Sequence, residues 1–323
     1  TLACDFHMHT VFSDGNVWPT VRVAEAWRQG LDAMAITDHI EYQPHKADVP
    51  MQPGRPYELA EGAAKAHGLL LVRAAEITRD TPPGHFNALF LDDIKRLDTP
   101  EFLDVFKQAN EQKAFVFWNH QGWQGEEKGR WLDVHTTLYE NKWFQGMEVA
   151  NGDEYYPTAH RWCLEKKLTL LGNTDIHDPD LRRESTAKDH RTMTLVLARE
   201  RTLATLKEAL EAGRTIVWFQ DKLIDREELL RPFFDACIRV GKPTVATKTS
   251  RVVEVRNLCQ ADITLEAKGK AAPGSIVLPA NSTVLMRVPA TDEVKPVTQE
   301  YTAKNFWIAP DQGLPVTIQI PGP

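Results

Sequence analysis

For about 230 residues the chain repeats one pattern, a short apolar run of strand length followed by an amphipathic stretch of helix length. "LACDFHMHT" precedes "TVRVAEAWRQG", "LDAMAITDH" precedes "PYELAEGAAKAHG", and "AFVFWNH", "GMEVANG" and "TLLGNTDIH" continue the alternation. Parallel neighbours need such crossovers, so a mostly parallel sheet with helices outside it is predicted, and the number of units points to closure into an irregular barrel. A last helix is read in "IDREELLRPFFDACIRV". From about residue 245 the helical period disappears and short runs such as "RVVEVRNL", "ADITLEA" and "VTIQI" alternate with Pro and Gly. The expectation is an α/β domain over residues 1–244 and a small all-β sandwich over 245–323.

Composition narrows the function classes. The chain has 323 residues, 42% of them apolar, and a formal charge of -7. No run of about 18 apolar residues offers a transmembrane segment. No basic stripe offers the phosphate contacts of a nucleic-acid binder. Four widely spaced cysteines, without a CxxC pair, read as buried free thiols rather than a zinc ribbon or redox site.

In a parallel barrel, chemistry sits at the carboxyl ends of the strands. Those ends are rich in imidazole and carboxylate: His7 and His9 with Asp5, then Asp14 in "SDG", Asp38 with His39, Glu76, His85, His120, Glu148, and Asp175 with His177. Asp175 and His177, two apart after "LTLL", are expected on one face of a strand. Mixed nitrogen and oxygen donors suit Zn, Mn or Fe, and the set exceeds what one ion needs, so two or three divalent ions are expected, bridged by Glu76 or Asp175.

The segments "DFHMHTVFSDG", "ITDH", "AAEIT", "GHFNALF", "WNH" and "NTDIH" resemble, in that order, the PHP (polymerase and histidinol phosphatase) superfamily of metallo-hydrolases, over about residues 2–220. The resemblance implies a distorted (β/α)7 barrel with a phosphoesterase site of up to three metals. It implies His7, His9, Glu76 and Asp175 as ligands of a first ion, Glu76 with His85 and His120 of a second, and Asp14, His39 and His177 of a third. Glu148 and Asn151 would support the ligands from behind. His7, Glu76, Asp175 and His177 are the expected catalytic positions, with a metal-bridged hydroxide as nucleophile.

Arg79, Arg182 and Arg183 follow ligand-bearing strands and are expected to clamp the phosphate of a small phosphorylated substrate. His45 is the one remaining histidine placed to reach the cleft, and Trp118, Trp123 and Trp131 are candidates for its walls or for packing. Two other functions compete: amidohydrolase-like C–N hydrolysis, and a metal-bound scaffold whose β domain binds a glycan or surface partner. A carboxylate at position 76, where amidohydrolases usually supply a carboxylated Lys, favours the phosphoesterase. The chain opens at Thr1 without Met, and with the appended β domain this leans towards an exported protein whose leader has been removed. The sequence leaves the oligomeric state open.

Overall fold

A computed structural model describes residues 1–50, 52–182, 185–269, 273–290 and 295–322. Two compact units emerge, one of residues 1–185 and 190–220, the other of residues 186–189 and 221–323.

The first unit runs β1 (Leu2–Asp5), α1 (Pro19–Arg28), β2 (Ala33–Ile36), α2 (Arg55–His67), β3 (Leu70–Ile77), β4 (Phe86–Leu89), α3 (Phe102–Glu111), β5 (Phe115–Trp118), α4 (Asp133–Glu140), β6 (Gly146–Asn151), β7 (Glu154–Tyr155), α5 (Pro157–Lys166), β8 (Thr169–Asn173), β9 (Met193–Val196), α6 (Leu203–Glu211) and β10 (Thr215–Phe219). Its strands follow the order β10-β9-β1-β2-β3-β4-β5-β6-β8. The pairs β1–β2, β2–β3, β5–β6 and β6–β8, each joined through a helix, are parallel. The links from β3 to β4 and from β8 to β9 lack a crossover helix, and β4 and β9 accordingly lie antiparallel to both of their neighbours. The sheet is therefore mixed, with more strands than a plain sevenfold repeat. Those two helix-free links carry His85, Asp175 and His177.

The core is built from alternate strand residues, Cys4 and Phe6, Ala33 and Ala35, Val72 and Ala74, Phe115 and Phe117, with Leu206 and Leu210 of α6. Side chains of the same strands on the other parity, Asp5, His7 and His9, are fully buried as well. Fully buried imidazole and carboxylate need partners, and these gather at one end of the sheet.

The second unit contains β11 (Lys222–Ile224), α7 (Glu227–Cys237), β12 (Ile238–Ala246), β13 (Ser250–Asn257), β14 (Ile263–Ala267), β15 (Ser275–Leu278), β16 (Thr283–Pro289), β17 (Val297–Ala309) and β18 (Gln312–Ile320). One antiparallel sheet is β12-β13-β16. In the other, β14, β15, β17 and β18 pair antiparallel, and β11 joins β17 in parallel. Alternation is clean along β18, whose Leu314, Val316, Ile318 and Ile320 are buried. The boundary expected at residue 244 falls instead after Gln220, because α7 packs on β12, β17 and β18 and thus belongs to the second unit. An amphipathic helix announces a buried face without saying which sheet buries it.

Candidate metal centre

Three groups of ligand atoms form at the carboxyl end of the first unit's strands: His7, His9, Glu76 and Asp175; Glu76, His85 and His120; and His9, Asp14, His39 and His177. Within each group the atoms lie within 4.8 Å of one another. All nine residues named as ligand candidates come together, and His9 joins the first group to the third.

Glu76 sits at the middle, fully buried near the end of β3. Its Oε2 is 2.9 Å from His7 Nε2 and 3.2 Å from His9 Nε2, while its Oε1 is 3.0 Å from His85 Nδ1. Asp175 divides its oxygens in the same way, Oδ1 at 3.0 Å from both His7 Nε2 and His9 Nε2, Oδ2 at 3.7 Å from His120 Nε2. Asp14 Oδ2 lies 3.3 Å from His39 Nε2 and 3.2 Å from His177 Nε2. His9 Nε2, Glu76 Oε1, His85 Nδ1 and His120 Nδ1 are buried and without a hydrogen-bond partner among the described residues, in spite of these short separations. Buried nitrogen and oxygen donors gathered this closely, several of them without a hydrogen-bond partner, are what a cation site requires. The donor set therefore fits divalent metal ions.

Local chemistry explains how the backbone delivers these groups. Gly15 completes the "SDG" turn because a Cβ there would stand 2.5 Å from the His9 carbonyl carbon and 2.6 Å from Thr10 N. Asp38, expected only as a rim residue, receives Thr10 N and Thr10 Oγ1, each at 2.6 Å, and Ser13 Oγ at 2.7 Å, fixing the loop that carries His9 and Asp14. Asp175 does not lie in the strand: β8 ends at Asn173, and Asp175 takes a left-handed φ of 54°. Asp tolerates that region better than most residues, and the turn re-aims its carboxylate at the histidines.

Behind the ligands is a second layer. Glu148 Oε1 accepts from His7 Nδ1 at 2.8 Å and from Asn173 Nδ2 at 2.9 Å, while Glu148 Oε2 accepts from His120 N at 2.9 Å and Asn151 Nδ2 at 2.8 Å. His177 Nδ1 donates to Asp175 O at 2.7 Å, and His39 Nδ1 is bonded to Thr78 Oγ1 at 2.5 Å. These bonds leave each Nε2 directed at the centre. Arg22, on α1, is fully buried and reaches His9 O, Ile176 O, His177 O and Asp178 O as well as Glu25. No sequence signal separated it from a surface arginine.

Charge follows geometry. Burial disfavours the His7 and His9 imidazolium ions, but the carboxylates outweigh it: His7 is raised well above its ordinary range by Asp175, Glu148 and Glu76, and His9 to about 10 by Asp175 and Glu76. The same contacts overcome burial in the opposite sense for Glu76 and Asp175, which are held well below the usual carboxylate range. Burial, aided by His7, keeps His120 below its ordinary value despite nearby carboxylates.

The centre opens into a cleft of about 490 Å³ lined by ligands and by Trp123, Asn151, Asp153, Glu154 and Tyr156 among others. Two of the three expected phosphate clamps do not line the cleft. Arg79 pairs with Glu41 at 3.0 Å and donates to Thr99 O, and Arg182 lies beside Asp180, so neither lines the cleft. Arg183 lies outside the described residues. His45 does not line it either, Trp118 is buried against His135 with ring centroids 4.0 Å apart, and Trp131 packs beside them.

Fold and centre together define a two-unit protein whose α/β unit carries a candidate site for divalent metal ions and whose other unit is built mainly of antiparallel β-sheets. A family model for an Ig-like domain, DUF5001, matches residues 238–319. No curated protein matches the chain. Over 99% of its length and 95% of the other chain, it is similar, at 41% identity and a TM-score of 0.92, to a two-domain protein from Bacteroides vulgatus containing a predicted PHP-like metal-dependent phosphoesterase. It is also similar to a metal-dependent phosphoesterase, so assigned by inference, from Bifidobacterium adolescentis (17% identity, TM-score 0.43, 55% of this chain and 88% of that one). An amidohydrolase from Chromobacterium violaceum with bound sulfate and no metal is similar at 16% identity and a TM-score of 0.38, over 55% of this chain and 88% of that one. The chain belongs to the family of two-domain proteins that join a PHP-like metal-dependent phosphoesterase unit to an Ig-like domain.

Proposed function

We propose that the first unit is a distorted (β/α)7 barrel of PHP type that hydrolyses phosphate esters with two or three divalent ions, Zn, Mn or Fe. What supports the reading is the sharing of ligands: Glu76 belongs to two of the three groups, His9 to two, and each oxygen of Glu76 faces a different group. A single four-coordinate ion would leave most of these buried donors unsatisfied.

When bound, such ions supply Lewis acidity towards phosphoryl oxygens and lower the pKa of water. The chain's own contribution is positioning. Glu148 holds the tautomer of His7 that presents Nε2, and through His120 N it fixes the strand end that carries a second ligand. His177 and Asp14, partly exposed at 34% and 20%, border the cleft, where they meet an entering substrate. Bound ions would supply the positive charge that a substrate phosphate needs at this rim, since neither Arg79 nor Arg182 lines the cleft.

The reading is tested by loading purified protein with Zn, Mn or Fe(II) and assaying an aryl phosphate monoester, a diester and an amide. Phosphate-ester turnover that disappears in folded His7→Ala and Asp175→Ala variants is expected. Turnover of the amide alone, or activity retained in both variants, would overturn it.

A further inference from the structure

Two chemically different sets of groups line the cleft. One set is the metal-ligand groups, including His85 and His120, whose Nδ1 atoms are buried and without a hydrogen-bond partner among the described residues. The phosphoryl group belongs there. The other set, Asn151, Asp153, Glu154 and Tyr156, comes from β6, the turn after it, β7 and the start of α5. Tyr156 is buried, and its hydroxyl donates to Glu154 Oε2 at 2.8 Å, so this carboxylate is held in place rather than left to swing in solvent. Among the described residues lining the cleft there is neither Lys nor Arg. A second anionic group on the substrate would therefore meet two carboxylates and, among the described lining residues, no Lys or Arg. Trp123 lines the same cleft with nearly half of its surface exposed, its ring 5.8 Å from that of His85 and 5.6 Å from that of His120. An aromatic face together with carboxylates is the surface that attracts an ammonium group, and like charges placed together are strongly disfavoured.

We infer that the cleft selects phosphate esters whose leaving group carries a positive charge, with Trp123, Asp153 and Glu154 as the residues that set this preference. The inference rests on the phosphoesterase reading and names the leaving-group class within it.

The test uses three phosphonates of similar length that differ in their far end: 2-aminoethylphosphonate, 2-hydroxyethylphosphonate and 3-phosphonopropionate, with inorganic phosphate as the common reference. Binding to the metal-loaded full chain is measured by calorimetry and by quenching of tryptophan fluorescence, neither of which needs turnover. The aminoethyl compound should bind at least about tenfold more tightly than the carboxylate compound, the neutral one falling between them. Asp153→Asn with Glu154→Gln should remove most of that gap without weakening inorganic phosphate. Trp123→Ala should weaken the aminoethyl compound more than the neutral one. Equal binding of the three compounds, with inorganic phosphate still bound, overturns the inference and leaves the phosphoesterase reading standing. Failure of all four to bind overturns both.

Discussion

His7 Nδ1 donates to Glu148 Oε1 at 2.8 Å, joining the end of β1 to β6 across 141 positions of sequence. Both side chains are fully buried, so the bond decides which nitrogen of His7 faces the metal groups. Glu148 also receives Asn173, Asn151 and the backbone of His120, which makes it the support of two ligands at once. Glu148→Gln keeps the shape but puts an amide donor at one of two oxygen positions whose neighbours, His7 and Asn173 or His120 N and Asn151, are themselves donors. Metal affinity should fall about 10- to 100-fold, as for other residues that orient ligands from behind. Competition with a chromogenic chelator measures it; unchanged affinity in a folded variant would remove Glu148 from this role.

Arg22 ties the His9 segment to the loop that carries Asp175 and His177, donating to four backbone carbonyls and to Glu25 Oε2 at 2.7 Å. Removing the guanidinium takes away one donor from each of these groups and leaves the buried Glu25 carboxylate without its counter-charge, with only Asp180 N, among the described residues, still bonded to it. Arg22→Met should cost about 3–5 kcal/mol of unfolding free energy in urea. Arg22→Lys should recover only part of it, because one ammonium group cannot reach five acceptors set around a planar fork. Stability equal to the parent in both variants would show the network to be ornamental.

The ligand candidates were legible because each lies in a short segment at a predicted strand end, where residue type and order carry the information. The fold was legible to the same depth: β/α alternation first, β texture afterwards. What stayed hidden depends on partners distant in sequence. Arg22 sits in "TVRVAEAWRQG", where an arginine looks solvent-facing until the loop at 176–178 is seen to close over it. Arg79 looks like a clamp until Glu41, 38 positions earlier, is seen to hold it. The antiparallel β4 and β9 follow from links that lack helices, and local patterning of a buried strand does not record its direction.

His135 offers a pH dependence separate from the ligands. Leu132 N donates to its Nδ1 at 2.9 Å and its Nε2 faces Pro83 O at 2.7 Å, an arrangement that suits the neutral ring. Burial pushes it down to about 4, from about 6.5 in an unfolded chain. The unfolded chain therefore takes up this proton first on acidification. The stability that neutral His135 contributes is complete above about pH 6.5 and declines below it, reaching a loss of about 2 kcal/mol at pH 5. Urea unfolding at pH 7 and pH 5 should show a larger difference in the parent than in His135→Gln by about that amount. Equal differences would mean that the ring is not held neutral.

Metal loading should release protons. Without metal, His7 and His9 hold protons among Glu76, Asp175 and Glu148, with His9 raised to about 10. These raised imidazoles stabilise the metal-free fold fully below about pH 6.5, and that contribution is lost as pH rises through their folded values. The lowered Glu76 and Asp175 act in the reverse sense, contributing above about pH 4.5 and losing their effect in acid. A divalent ion needs the neutral Nε2 lone pairs, so at pH 7.5 its binding must displace about two protons and its affinity must rise with pH. Calorimetric titration of Zn or Mn in buffers of different ionisation enthalpy counts them directly. The melting temperature should rise on loading and return after EDTA treatment. A proton count near zero would mean that His7 and His9 are already neutral in the metal-free protein, against the ion pairs that surround them.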